Sequence, residues 1–154
     1  MASLEDQPIR RLPTGSGEFD RVLGGGLVPG SLVLVGGDPG IGKSTLLLQS
    51  ASTMAAQTSV LYVSAEESAQ QVKLRWQRLA GGPSDLQLLA ETDLELVLEE
   101  LEALRPAVAI IDSIQALHDA NLPSAPGSVG QVRECAAALQ RLAKRQTTAL
   151  LLVG

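Results

Sequence analysis

The stretch Gly37-Asp38-Pro39-Gly40-Ile41-Gly42-Lys43-Ser44 decides the fold of this 154-residue chain, because it has the G-x-x-x-x-G-K-S spacing of a phosphate-binding loop. The apolar run at residues 31–36 before it is typical of a buried strand, and residues 44–56 after it have a helical pattern. Strand, glycine-rich turn and helix thus occur in the order that the motif requires. The alternative, a glycine-rich turn that fits the spacing by chance, is the weaker interpretation in this setting.

This loop predicts how a nucleotide would be bound. Glycines allow the backbone to wrap a phosphate chain with its N–H groups pointing inward. Lys43 would place a positive charge at the outer phosphates, the Ser44 hydroxyl would be a ligand to Mg²⁺, and the helix N-terminus would add its partial positive charge. The predicted nucleotide-binding residues are Gly37, Asp38, Pro39, Gly40, Ile41, Gly42, Lys43, Ser44 and Thr45.

Two other strand ends carry carboxylates that would lie near this loop. An apolar strand pattern at 59–63 leads into Ser64-Ala65-Glu66-Glu67, and a second apolar pattern at 108–112 ends in Asp112. In an open α/β sheet, ligands lie along the carboxyl ends of the strands, so these side chains are well placed to reach one. We expect Asp112 to be near the Mg²⁺, through water, although many buried parallel strands end in Asp without a metal role.

The remaining patterns predict an α/β domain with a mainly parallel sheet and helices on both faces. Strands are expected at 31–36, 59–63, 86–89, 108–112 and 149–154, with helices between them. Ser16 is expected to cap a short helix that contains Phe19, Val22 and Leu23, and Thr92-Asp93-Leu94-Glu95 has capping-box form. The polar segment 115–130 is the long loop-like region, predicted to be functional, with a plain surface connection as the alternative.

Composition and charge limit the functional classes. Apolar residues make up 45% of the chain, which excludes general disorder, and a net charge of −5 argues against a strongly basic nucleic-acid surface. No apolar stretch is long enough to cross a bilayer and the N-terminus lacks the order of a secretory signal, so a cytoplasmic protein without membrane attachment is expected. The single cysteine, Cys135, can form neither an internal disulfide nor a thiolate metal site, and its apolar neighbours predict a buried thiol.

Several segments resemble a known family of ATPases. Residues 14–36 look like the entry to the ATPase core of RecA-like proteins of the KaiC and RadA (Sms) kind. Three further segments narrow the resemblance to the RadA (Sms) family of bacterial DNA repair and recombination ATPases: Tyr62-Val63-Ser64-Ala65-Glu66-Glu67-Ser68, Asp112-Ser113-Ile114-Gln115 and Pro126-Gly127-Ser128-Val129-Gly130-Gln131-Val132-Arg133-Glu134. The resemblance implies a RecA-like P-loop NTPase core.

The resemblance also implies an activity and its residues. It implies an ATP- and Mg²⁺-dependent motor that forms homo-hexameric rings on single-stranded or branched DNA and promotes branch migration. Lys43 and Glu66 would be catalytic, with Glu66 polarising the attacking water and Glu67 assisting. An ordinary acid at a helix start is the alternative for Glu66. Arg133 is the candidate for a DNA phosphate contact, with a solvated helix charge as an equal alternative.

The chain also departs from this family. The four-cysteine zinc module of the family has no counterpart here, so no zinc is expected, and the family's segments after the last strand, with a Lys-Asn-Arg-Phe-Gly motif and a protease-like domain, are absent. We therefore expect a fragment, with a polar lead at 1–10 and an ATPase core at 11–154 that is truncated at its C-terminal side. Two other interpretations stay open: a KaiC-like nucleotide-binding regulatory module, and a fragment that binds ATP without turnover.

Overall fold

Five strands and five α-helices form the parts of the chain that the structure, a computed structural model, describes. These parts are residues 11–36, 41–80 and 86–154, with the backbone alone described at 41–44 and 79–80. The helices are α1 Gly17–Val22, α2 Ile41–Ala55, α3 Ala69–Ala80, α4 Leu94–Leu104 and α5 Val129–Gln146. The strands are β1 Leu32–Val35, β2 Val60–Ser64, β3 Gln87–Ala90, β4 Val108–Asp112 and β5 Ala149–Val153, and a 3₁₀ turn spans Ile114–Ala116.

The strands form one parallel sheet in the order β1-β5-β4-β2-β3. Asp112 at the end of β4 pairs with Ser64 at the end of β2 and with Val153 at the end of β5. The carboxyl ends of the three central strands are therefore level with one another at one edge. The predicted α/β class, with a parallel sheet and helices on both faces, is confirmed.

Successive side chains of the central strands point to opposite faces of the sheet, so each strand contributes to both layers of the core. On one face, residues such as Leu61 and Ile111 pack with Leu139 of α5 and Leu101 of α4. On the other face lie Tyr62, Ile110 and the buried side of α2. Each fully buried leucine or isoleucine of these layers stabilises the fold by roughly 1.5–3 kcal/mol. Among the helices of the described ranges, none combines the length and the apolar character that a membrane crossing needs.

The direction of α2 follows from what its C-terminal end contacts. Met54 and Thr58 line a cavity together with Ala107 and Thr147, which precede β4 and β5. The C-terminal end of α2 therefore lies at the amino edge of the sheet. Since α2 packs along the sheet, its N-terminal end lies at the carboxyl edge, where the phosphate-binding motif requires it.

The first residues of three helices can be compared with the capping residues and loop predicted from the sequence. Ser16 caps α1 as expected, but Val22 is 86% exposed and does not belong to a buried stripe. Asp93, not Thr92, caps α4, because Thr92 and Asp93 pair with His118 in an extended bridge before the helix begins. Helix α5 begins at Val129, inside the segment that was predicted to be loop, because Ser128 caps it.

Candidate active site

The carboxyl edge of the sheet brings together most of the predicted site residues that the structure describes. Asp112 ends β4, and Glu66 lies two residues beyond the end of the neighbouring strand β2. The backbone N–H of Ala65 donates to the carbonyl of Asp112 at 2.8 Å, so the turn after β2 is attached to β4. The predicted meeting of these two carboxylates at one edge is therefore present.

The phosphate-binding loop itself is only partly described. Gly37, Asp38, Pro39 and Gly40 lie outside the described residues, as do the side chains of Ile41, Lys43 and Ser44. The backbone is helical from Ile41, and Thr45 is half-buried in the second turn of α2. The described part of the motif thus places a helix N-terminus, with its partial positive charge, at the edge where Asp112 lies.

A buried hydrogen bond fixes the carboxylate of Asp112. The hydroxyl of Tyr62, on β2, donates to Oδ2 of Asp112 at 2.6 Å. Tyr62 is 1% exposed and Asp112 9% exposed, so the bond is shielded from water. Burial, together with the charge of Asp112, raises the pKa of the Tyr62 hydroxyl well above its ordinary value. This hydroxyl therefore stays protonated and remains a donor to the carboxylate.

The adjacent carboxylates Glu66 and Glu67 have different partners. Oε1 of the exposed Glu66 accepts a hydrogen bond from the hydroxyl of Ser113 at 2.7 Å. Glu67 forms an ion pair with Arg75 of α3, and the hydrogen bond between them raises the pKa of the Arg75 guanidinium. The Ser64 hydroxyl also donates to the carbonyl of Glu67 at 2.8 Å. Glu67 is therefore tied to the protein by side chain and backbone, whereas within the described part of the chain Glu66 has one side-chain hydrogen bond, at Oε1.

Glu66 also borders a depression that is open to solvent. Ser64, Glu66, Glu67 and Glu91 are among the residues that line it, at the carboxyl ends of β2 and β3. A water molecule beside Glu66 can therefore exchange with bulk solvent. The carboxylate is exposed enough to act on water, and its hydrogen bond to Ser113 limits where it can point.

The residues at this edge fit a nucleotide with Mg²⁺ better than a metal ion held by protein alone. Within the described ranges, no group of three or more His, Cys, Asp or Glu side chains could hold a metal ion. Mg²⁺ usually keeps several waters and is bound through one or two carboxylates together with substrate phosphates. One buried carboxylate, Asp112, beside a helix N-terminus provides that combination of oxygen ligand and phosphate site.

One buried side chain of α5 fixes the segment between β4 and α5 by hydrogen bonds. Gln131 is 0% exposed, and its Nε2 donates to the carbonyls of Asp119 and Ser124 at 3.1 and 3.0 Å. Its Oε1 accepts from the N–H of Asp119 at 3.0 Å. Arg133, two residues further along α5, is exposed to solvent. The segment 115–130, predicted to be a functional loop, therefore has a defined attachment to α5, and Arg133 follows Gln131 by two residues on that helix.

Four residues with evident roles at or near the site were not indicated as such by the sequence. They are Tyr62, Arg75, Ser113 and Gln131. Ser113 had a signal, since it directly follows Asp112 in a segment that the resemblance already singled out. Tyr62 and Gln131 also lie in segments that the resemblance singled out, but their roles, like that of Arg75, depend on tertiary contacts for which the local pattern gives no sign.

Comparison with known proteins places these features in a family. Residues 3–154 match the AAA domain family. The chain is 50% identical to the DNA repair protein RadA of Bacillus subtilis, with 100% of the chain and 34% of that protein covered. It is 56% identical to RadA of Synechocystis (94% of the chain, 32% of that protein) and 52% identical to RadA of Escherichia coli (99% and 33%). The chain spans about a third of the length of these relatives.

Proposed function

This chain belongs to the AAA domain family, and from that premise we propose that it binds ATP with Mg²⁺ and hydrolyses it, as the ATPase core of a DNA repair protein. The observation that carries this proposal is the meeting of Asp112, Glu66 and the N-terminus of α2 at one edge of a parallel sheet. The names of the relatives support the assignment to DNA repair.

The proposed chemistry divides the work among a few groups. The backbone N–H groups of residues 37–45, except at Pro39, and the ammonium group of Lys43 bind the phosphates, and Ser44 would be a ligand to Mg²⁺. Bound Mg²⁺ would supply positive charge against the phosphate oxygens. Asp112 would hold the metal's water shell. Glu66 orients the attacking water and accepts its proton as the water oxygen bonds to the γ-phosphorus and the bond from that phosphorus to the bridging oxygen of the ADP leaving group breaks. Positioning and charge neutralisation provide most of the rate, because phosphoryl transfer needs little covalent help from the protein.

Glu66 is the stronger candidate for the catalytic base than Glu67. The carboxylate of Glu67 is engaged in an ion pair with Arg75, which holds it toward α3. Glu66 accepts one hydrogen bond from a neutral hydroxyl and is exposed to solvent. We therefore assign Glu67 the secondary role of holding the turn after β2.

The core proposal is tested by nucleotide binding and turnover in the intact protein. Lys43→Ala should abolish hydrolysis and weaken ATP binding, whereas Glu66→Gln should keep binding and lose turnover by about 10²–10⁴-fold, the usual contribution of a general base. Glu99→Gln, an exposed acid on α4, is the matched control and should leave both unchanged. Absence of measurable affinity for Mg²⁺–ATP would refute the proposal, and normal turnover by Glu66→Gln would refute the assignment of the base.

The finer part of the proposal is a DNA-dependent motor that acts in branch migration as a homo-hexamer on single-stranded or branched DNA. The observations that favour it over a KaiC-like regulatory module are the RadA relatives and the anchored loop before α5, the helix that carries Arg133. DNA should raise the ATPase rate, and added salt should reduce the effect because counterions are released on binding. No response of the rate to DNA would favour the regulatory module.

Arg133 provides the residue-specific test of DNA contact. Arg133→Ala should reduce stimulation by DNA uniformly across sequences and lower the salt slope of binding by about one, as expected for a phosphate contact. Arg141→Ala, which removes an exposed arginine from the same helix, is the control. Equal effects of the two substitutions would show that Arg133 is an ordinary solvated charge.

The third interpretation, binding without turnover, concerns this chain by itself. A titration of the 154-residue chain with a fluorescent ATP analogue, beside a turnover assay, separates the two activities. Saturable binding with no turnover would support the binding-only interpretation for the chain. Turnover would show that residues 1–154 contain the complete catalytic site.

A further inference from the structure

Two hydroxyl groups hold the carboxylate proposed for the metal site, Asp112, and the proposed base, Glu66, in a crosswise arrangement between β2 and β4. Tyr62 of β2 donates to Asp112 of β4, at 2.6 Å. Ser113, which follows β4, donates to Glu66, which follows β2, at 2.7 Å. Each strand thus supplies one carboxylate and the hydroxyl that holds the carboxylate of its neighbour.

We propose that Tyr62 and Ser113 are positioning residues for ATP hydrolysis, Tyr62 acting through Asp112 on the metal site and Ser113 acting through Glu66 on the attacking water. This inference rests on the function proposed above. It assigns the two hydroxyls separate tasks, one concerned with metal-dependent binding and the other with turnover.

The case for Tyr62 rests on the geometry of a buried carboxylate. The terminal torsion of an aspartate is broad, so a donor on one oxygen selects the direction of the other. The Tyr62 ring is locked in the core against the α2 side of the sheet, and β2 and β4 are in register at Ser64 and Asp112. A fixed donor on Oδ2 therefore sets the orientation of the whole Asp112 carboxylate. A charge-assisted bond in a shielded site is strong enough to hold that orientation.

The case for Ser113 rests on the difference in freedom between its side chain and that of Glu66. Ser113 is buried and has one side-chain torsion to its oxygen, whereas Glu66 is exposed and has three torsions of its own. Without a partner, Glu66 would spread over several rotamers. Misplacement of a catalytic group by about 1 Å can cost on the order of 10²-fold in rate. The Ser113 hydroxyl restricts Glu66 to positions within reach of the end of β4.

The two hydroxyl deletions should therefore differ in what they change. Tyr62→Phe keeps the buried ring and should raise the Mg²⁺ concentration needed for half-maximal ATP binding by about 10-fold, the lower end of effects seen for residues that orient a metal ligand. Ser113→Ala should leave ATP binding unchanged and lower kcat by about 10-fold or more. Ser113→Thr retains the hydroxyl on an extended backbone and should restore most of kcat.

The control is a buried hydroxyl at the opposite edge of the sheet. The Thr148 hydroxyl donates to the carbonyl of Pro106 at 2.8 Å, before β5 begins. Thr148→Val removes a buried hydrogen bond of the same kind without touching the carboxyl edge. It should lower resistance to urea but leave both the Mg²⁺ dependence and kcat unchanged.

The experiment measures three quantities on the intact protein and these four variants: binding of a fluorescent ATP analogue at buffered Mg²⁺ concentrations, steady-state kcat, and the urea unfolding midpoint. The expected result is a Mg²⁺ shift confined to Tyr62→Phe and a kcat loss confined to Ser113→Ala and rescued by threonine. If wild type binds and turns over ATP but both deletions behave like Thr148→Val, the positioning roles are wrong and the ATPase proposal stands. If wild type shows no Mg²⁺–ATP affinity, both proposals are overturned.

Discussion

At the level of single residues, Glu66 and Glu67 show how neighbours in sequence acquire different chemical environments. Sequence patterns treat them as an equivalent pair at a strand end. In the structure, Arg75 of α3 engages one and Ser113 engages the other. The pairing of Glu67 with Arg75 depends on the angle at which α3 turns back over the end of β2. A local pattern contains no information on that angle.

This difference predicts an asymmetric response to amide substitution. Glu67→Gln should retain most turnover and lower stability by less than about 1 kcal/mol, because its ion pair with Arg75 is partly exposed and screened. Glu66→Gln should lose turnover and leave stability nearly unchanged. Steady-state kcat and urea unfolding of the two variants would check this. An equal loss of kcat in both would mean that the Arg75 contact does not distinguish them.

Asp112 and Glu66 could be placed from sequence, whereas the groups that hold them could not. An apolar run that ends in a carboxylate, combined with a phosphate-loop pattern, specifies which edge of the sheet the carboxylate occupies. Tyr62 and Ser113 become relevant only because β2 lies beside β4. That pairing brings together residues about fifty positions apart, and no periodicity within a strand encodes it.

At the level of elements, helix starts were predicted well where one capping residue was available and poorly where two competed. Ser16 had no rival and caps α1. Thr92 and Asp93 can both act as caps. The backbone bridge to His118 keeps Asp93 extended, so the helix cannot begin before Leu94 and Asp93 is the cap. Ser128 caps α5 within a segment whose prolines and glycines indicated loop throughout. For α4, a tertiary contact therefore selects between two local capping options.

The loop before α5 gives a prediction at this scale. Gln131→Met keeps the length of the buried side chain but removes its three hydrogen bonds to the backbone of Asp119 and Ser124. It should destabilise the protein by about 1–3 kcal/mol and increase hydrogen exchange in residues 119–124, because buried polar backbone groups lose their partners. Gln140→Met, at an exposed position of the same helix, is the control. Unchanged exchange in the loop of Gln131→Met would show that other contacts hold it.

For the molecule as a whole, the sequence predicted the class of fold and the edge that carries the site, but not the order of the strands. β5, the last strand, lies between β1 and β4, so the central pairs join residues that are far apart in the chain. Strands that are apolar along their whole length have no polar face, so their sequences do not indicate which other strand they pair with. β1 is an edge strand, and Leu34 on it is 69% exposed, although its apolar pattern had indicated a buried strand.

The effect of Cys135 on stability above pH 9 is a prediction about the whole fold, because this thiol lies in the core. Cys135 is buried between α5 and the sheet, and burial raises the pKa of its thiol above the ordinary value of about 9, with smaller contributions from the charges of Asp119 and Glu134. The unfolded chain ionises this thiol near pH 9, while the folded protein keeps it protonated. The stability that the thiol contributes is therefore complete below pH 9 and is lost as the pH rises toward the folded pKa, by up to about 1.4 kcal/mol per pH unit.

Cys135→Ala removes this dependence, so the stability advantage of wild type at pH 8, measured by urea unfolding under reducing conditions, should shrink by pH 10. An advantage of the same size at both pH values would show that the thiol ionises equally in the folded and unfolded states.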